Sequence, residues 1–118
     1  RLRVPNEHRE LAVIVSRHHT RCHKAMKHKA ADLLQTLENC DALRRPQRFE
    51  QFLQACEADY HGRPGYQAKP FVSAERLRAA HRIAAQIDAG AIAQQHQGGE
   101  AIKQAVFAAR CEAVSKSL

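Results

Sequence analysis

The sequence predicts an all-α protein, an irregular bundle of about five helices joined by short loops. Apolar residues recur every three or four positions along five segments, which is the spacing of one helix face. Glycine and proline interrupt these segments, and no segment shows the two-residue alternation of a half-buried strand. With 118 residues, the chain is long enough to bury one compact core.

The first two helices are predicted in the N-terminal third of the chain. Pro5 and Asn6 open the first helix, which runs roughly over 6–26 with Asn6 as its cap. Its apolar face is Leu11, Ile14, Val15, Cys22 and Met26. The second helix has the apolar residues Ala30, Leu33, Leu34 and Leu37, and the stretch 39–46 ends it because the residue before a proline avoids helical geometry.

Three further helices follow. The third begins at Pro46, which suits a first helical turn, and stops near Gly62; its apolar face is Phe49, Phe52, Leu53 and Cys56. The fourth is capped by Ser73, ends at Gly90 and carries Leu77, Ala80, Ile83, Ala84 and Ile87. Gly98 and Gly99 precede the last helix, whose apolar positions are Ile102, Val106, Ala109 and Ala113.

The charge distribution predicts a polyanionic partner. The net charge is +7, and residues 1–30 alone hold eight Lys or Arg against two Glu, a balance of +6. On the first helix, Arg17, Arg21, Lys24 and His28 are spaced by four, three and four residues, so they form a basic stripe. A basic surface binds phosphates by releasing counterions, although a merely solvated face has the same pattern.

The aromatic content indicates which class of nucleic acid the chain is expected to bind. Six aromatic residues and no tryptophan disfavour a single-strand reader, which needs exposed rings on which bases stack. We therefore expect contacts to the backbone of a structured RNA.

The histidines and cysteines give only a weak metal signal. His19 and His23 lie four residues apart on one helix face, but Thr20 stands where a zincin has its glutamate, so the two are weak metal candidates. The four cysteines are widely spaced and form no C-x-x-C pair. They are expected to be free and mostly buried thiols, as in a reducing compartment.

A loop rich in charged residues and helix breakers follows the third helix. Glu57, Asp59 and Arg63 are expected to form an ion pair that fixes the turn around Gly62 and Gly65. No nucleophile motif, Gly-rich phosphate loop or catalytic residue is identified. No apolar run is long enough to span a bilayer and no signal-peptide core follows the basic start, so a cytoplasmic protein without a membrane partner is expected.

Four motifs in order resemble bacterial CCA-adding tRNA nucleotidyltransferases, the multifunctional CCA proteins. They are R-V-P-N-E-H-R-E-L-A at 3–12 with His19 and His23, R-R-P-Q-R at 44–48, E-A-D-Y-H-G-R-P-G at 57–65, and G-E-A-I-K at 99–103 before Arg110. The resemblance implies that 1–45 are the C-terminal helices of an HD-like region and 46–118 a helical tail domain.

The resemblance also implies a division of labour within a longer parent enzyme. The parent adds CCA to tRNA 3′ ends from CTP and ATP with Mg²⁺, whereas this stretch lacks the catalytic head and is expected to be inactive alone, without a cofactor. Its role would be to hold the phosphate backbone of tRNA. The residues expected to do so are Arg17, Arg21, Lys24, Arg44, Arg45, Arg48 and Arg110.

Two alternatives stay open. Multifunctional members of the family have a His-Asp pair where this sequence has His19 and Thr20, so the loss of the carboxylate puts an HD-type phosphohydrolase activity of the parent in doubt. The chain is still a candidate for the rear half of such a metal-dependent phosphodiesterase or phosphatase. The other alternative is a packing or dimerisation module without catalytic function.

Overall fold

The computed structural model describes residues 6–118, which form an all-α structure as the sequence predicts. Its six α-helices are α1 (Asn6–His23), α2 (Ala30–Asn39), α3 (Pro46–His61), α4 (Val72–Ala85), α5 (Ala89–Ala93) and α6 (Gly99–Ser117). A single 3₁₀ turn, Ala25–Lys27, joins α1 to α2. Pro5, predicted to open the first helix, lies outside the described residues.

The helices share one hydrophobic core. Helix α1 packs along α3, and α4 packs against both α2 and α6. The largest side chains with no exposed surface are Phe49, Phe52, Leu33, Leu34, Leu37, Leu53, Leu77 and Val114. Because these residues come from both sides of position 45, the two proposed regions pack as one unit here. Their assignment to an HD-like region and a tail domain stays a prediction.

The predicted end of the first helix is wrong at Met26. The α-helix stops at His23 and the chain tightens into the 3₁₀ turn, so the angular spacing of an α-helix no longer applies beyond that point. Ala25 takes the buried position, and Met26 is 52% exposed.

The fourth helix also differs from its prediction at both ends. Ser73 lies inside α4 rather than capping it, because its hydroxyl donates to the carbonyl oxygen of His23 at 3.2 Å. Helix α4 ends at Ala85 rather than at Gly90, which belongs to the short α5. Asp88 caps α5 by accepting a hydrogen bond from the amide of Ala91 at 3.0 Å.

The cysteines are free, as expected, and three of the four are buried. A hydrogen bond with Cys56, together with burial, raises the pKa of the Cys22 thiol far above its ordinary value. Burial raises the pKa of Cys40 to about 12. These thiols therefore act as small apolar side chains in the hydrophobic core. Within residues 6–118, no helix combines the length and hydropathy needed to cross a membrane.

Candidate nucleic-acid interface

The connection between α1 and α2 presents a row of lysines to solvent. We call residues 24–29 the basic turn; its lysines, Lys24, Lys27 and Lys29, are all exposed. The chain passes from the end of α1 through the 3₁₀ turn, becomes extended at His28 and enters α2 after Lys29. This change of direction leaves all three ammonium groups on the outside of the molecule.

Among residues 6–118, no acidic side chain pairs with the lysines of the basic turn or with Arg17 of α1. Within the described part of the chain, no carboxylate oxygen lies within 4.0 Å of any of these four cations, whereas other cations do form such pairs. A cation that no carboxylate neutralises contributes its full charge to the local potential. The turn is therefore a strongly anion-attracting part of the surface.

Helix α4 holds the basic turn in place. Arg76 donates from Nε to the carbonyl oxygen of Ala25 at 3.1 Å and from Nη2 to that of His28 at 3.0 Å. The hydroxyl of Ser73 binds the carbonyl of His23 just before the turn. The backbone that carries the lysines is therefore fixed before any ligand arrives, which lowers the entropy lost on binding.

Arg21, predicted to contact RNA, ties α1 to α2. Its Nε donates to the hydroxyl of the buried Thr36, and its Nη2 donates to the carbonyl oxygen of Asp32, both at 2.9 Å. Two of its donors are thus used inside the protein. A contact of Arg21 to RNA stays a prediction, and it must be made by the remaining donors.

His28 contributes less positive charge than the other residues of the predicted stripe. Burial, and then the nearby positive charge of Arg21, hold its pKa below the ordinary 6.5. Its ring is consequently neutral at pH 7 and does not attract phosphate by charge.

The arginine cluster, which consists of Arg44 and Arg45 before α3 and Arg48 in its first turn, is largely paired with carboxylates. Glu10 of α1 accepts from Nη1 of Arg45 at 3.2 Å and from Nη1 of Arg48 at 3.0 Å through the same oxygen, Oε2. Arg44 lies 3.6 Å from Asp41 and is 80% exposed. In this cluster acidic side chains offset the positive charge, unlike in the basic turn.

Arg110 of α6 is partly buried, and its Nε has no hydrogen-bond partner among residues 6–118. It faces the groove between α2 and the following loop, next to Leu37 and Glu38.

Lys27 and Lys29 are not among the RNA-binding residues that the sequence predicts. The helical spacing used to find the stripe passes over them, although the K-x-x-K-x-K pattern at 24–29 marks them.

The two metal candidates, His19 and His23, meet edge to face with ring centroids 6.3 Å apart. Nδ1 of His19 bonds the carbonyl of Val15 in its own helix. Nε2 of His23 lies 3.1 Å from Asp59, but the two atoms are not aligned for a hydrogen bond. Burial lowers the pKa of His23. Across residues 6–118, no three His, Cys, Asp or Glu side chains are grouped to hold a metal ion.

In the charged loop after α3, the residues predicted to form an ion pair have different partners. Asp59 and Arg63 pair at 3.3 Å across the end of the helix. Glu57 instead lies 3.7 Å from Arg78 of α4, which also binds Glu50. Gly65 has φ +84, a left-handed conformation that only glycine adopts at no steric cost, whereas Gly62 has φ −76. The loop is thus shaped by contacts within the protein.

Curated relatives match the chain over its whole length. A multifunctional CCA protein of Cupriavidus taiwanensis and one of Burkholderia multivorans are each 52% identical to it over 100% of the chain and 29% of their own length. One from Paraburkholderia phymatum is 50% identical, with 28% of its length covered. The matching region is the C-terminal part of these proteins. The whole chain is therefore similar to the C-terminal part of multifunctional CCA proteins.

The match covers only part of each relative. The chain spans less than a third of the length of the multifunctional CCA proteins that it matches. No protein-family model and no solved structure matches it. The basic turn and the arginine cluster are thus features of a C-terminal region, about half identical to its relatives.

Proposed function

We propose that this chain is a tRNA-binding segment of a multifunctional CCA protein and positions tRNA through its phosphate backbone. The observation that carries the proposal is the basic turn, whose three lysines are exposed, free of carboxylate partners and attached to a backbone that Arg76 fixes. Positioning a substrate with a prearranged surface reduces the entropic part of a reaction barrier.

The bond-making chemistry is assigned to the rest of the parent protein. In that scheme the parent is a cytoplasmic nucleotidyltransferase that uses CTP, ATP and Mg²⁺, and this segment contributes affinity and orientation. Shape and charge rather than sequence would decide what binds, because lysines on a turn contact phosphates and leave the base edges unread.

The experiment is tRNA binding by the chain as a function of salt, measured by fluorescence anisotropy. The logarithm of affinity is expected to fall linearly with the logarithm of salt concentration. The triple variant K24A/K27A/K29A should lower affinity at every salt concentration and reduce the slope by about 2 to 3. Arg17→Ala added to it should reduce the slope by about one more.

A matched variant separates this interface from general positive charge. K69A/R82A/K103A removes the same number of charges from exposed positions on other parts of the surface. It should keep the salt slope within about one unit of the unchanged protein. Equal losses in the two triple variants, or binding that does not depend on salt, would remove the basis for the proposal.

A further inference from the structure

A groove lies between the start of α1 and the start of α3, away from the basic turn. It has a volume of about 420 Å³ and is lined by Glu7, Glu10, Arg44, Arg45, Pro46, Gln47, Arg48 and Gln51. Grooves of this size hold drug-sized ligands in other proteins. Three guanidinium groups, two side-chain amides and two carboxylates surround it.

Arg48 lines this groove, and the protein backbone holds one side of its guanidinium group. Its side chain is only 16% exposed, and its Nη2 donates to the carbonyl oxygen of Cys40 at 3.1 Å. Nη1 points the other way, to Glu10. A guanidinium group held from behind is preorganised to bind an anion, because little side-chain freedom remains to be lost.

Glu10 occupies the position between the two arginines. One of its two carboxylate oxygens, Oε2, accepts from both Arg45 and Arg48, while its side chain remains 45% exposed. One carboxylate oxygen shared by two guanidinium groups leaves much of their donor capacity unused. A phosphate group offers three oxygens and a greater negative charge, and it fits the forked donors of arginine better.

We infer that this groove binds a phosphomonoester of nucleotide size, and that Glu10 is the internal anion which such a ligand displaces. The phosphate would take the place of the Glu10 carboxylate between Arg45 and Arg48. The amides of Gln47 and Gln51, which are four residues apart on one face of α3, and the carboxylate of Glu7 are left to pair with the polar edge of a base or sugar.

This site is separate from the basic turn, and the inference stands whether or not the basic turn binds RNA. The same phosphate chemistry has two sources, a free mononucleotide and the terminal phosphate of an RNA. No bond is made or broken in the inferred step. One carboxylate leaves the two guanidinium groups and one phosphate replaces it.

The test is calorimetric titration of the chain at constant ionic strength with inorganic phosphate, AMP, adenosine, and a trinucleotide with and without a 5′-phosphate. AMP is expected to bind saturably and adenosine not at all. Tighter binding of AMP than of the phosphorylated trinucleotide assigns the site to a free nucleotide, and the reverse order assigns it to an RNA end; either result supports a phosphomonoester site. Binding of adenosine as tight as that of AMP overturns it.

Two substitutions should move the affinity for AMP in opposite directions. Glu10→Gln removes the competing charge and should tighten binding by about twofold to tenfold. Arg45→Ala should weaken it by a similar factor. Because one variant gains and the other loses affinity, a general loss of folding cannot imitate the pattern.

Matched controls change the same charge elsewhere. Glu112→Gln alters an exposed glutamate on α6, and Arg63→Ala alters an arginine that is 50% exposed, against 47% for Arg45. Neither control should change AMP affinity by more than about twofold. An equal gain in Glu10→Gln and Glu112→Gln, or no saturable AMP binding in any variant, would overturn the inference.

Discussion

Arg76 of α4 donates from Nη2 to the carbonyl oxygen of His28 at 3.0 Å, across 48 residues of sequence. With the second bond from Nε to Ala25, one guanidinium group binds two carbonyls of the turn, and the Ala25 carbonyl also accepts from the amide of His28. The position of the lysines in the basic turn therefore depends on a residue of another helix.

Replacing Arg76 by alanine should loosen the basic turn. The variant leaves two partly buried carbonyls without their charged donor, which should lower the free energy of unfolding by about 2 kcal/mol. Urea unfolding measures this loss, and hydrogen exchange should speed up at residues 25–29. Arg82→Ala, an exposed arginine on the same helix, should change stability by less than about 0.5 kcal/mol. Similar effects of the two variants would show that Arg76 does not support the turn.

Local signals predicted those elements whose ends are fixed by local chemistry. Helix α3 begins at Pro46 and ends at His61, before Gly62, because proline suits a first turn and the breakers that follow stop the helix. The predicted cap at Ser73 is wrong because its hydroxyl donates to a distant carbonyl, that of His23, instead of capping its own helix. A partner 50 residues away leaves no trace in the local pattern.

The sequence predicts only part of the candidate interface, again because contacts between distant residues leave no local pattern. The stripe from Arg17 to Lys24 follows the helix and was visible in the sequence. Lys27 and Lys29 join it only because the chain leaves the α-helix after His23. The acidic partner of Arg45 and Arg48 is Glu10, brought to them by the packing of α1 on α3. Charge spacing along one segment does not show which cations remain unpaired after folding.

Stability should fall as the pH drops from 7 towards 5. Burial lowers the pKa of His81, against the opposing effects of its bond to the carbonyl of Ala42 and the charge of Glu50. The unfolded chain, with a histidine pKa near 6.5, then binds more protons than the folded one. Such a group stabilises the fold above pH 6.5 and loses that contribution as the pH falls through its folded-state value. His18, His23 and His28 share this direction.

Urea unfolding at a series of pH values measures the effect. His81→Gln should reduce the slope of stability against pH, by at most about 1.4 kcal/mol per unit. His8→Gln, at an exposed position on α1, is the control and should leave the slope unchanged. A stability that rises on acidification over this range would contradict the assigned direction.

Two neighbouring glycines before α6 should respond oppositely to alanine. Gly98 has φ +89 and ψ 141, a left-handed conformation outside the αL well, and the Cβ of an alanine there would meet nothing within 4 Å. The whole cost of Gly98→Ala is therefore backbone strain, about 1–3 kcal/mol. Gly99 is the first residue of α6 and also has open space around it, so Gly99→Ala should be neutral or stabilise by up to about 1 kcal/mol. Thermal unfolding of both variants checks this pair, and equal shifts in Tm would mean that the backbone at Gly98 is not left-handed.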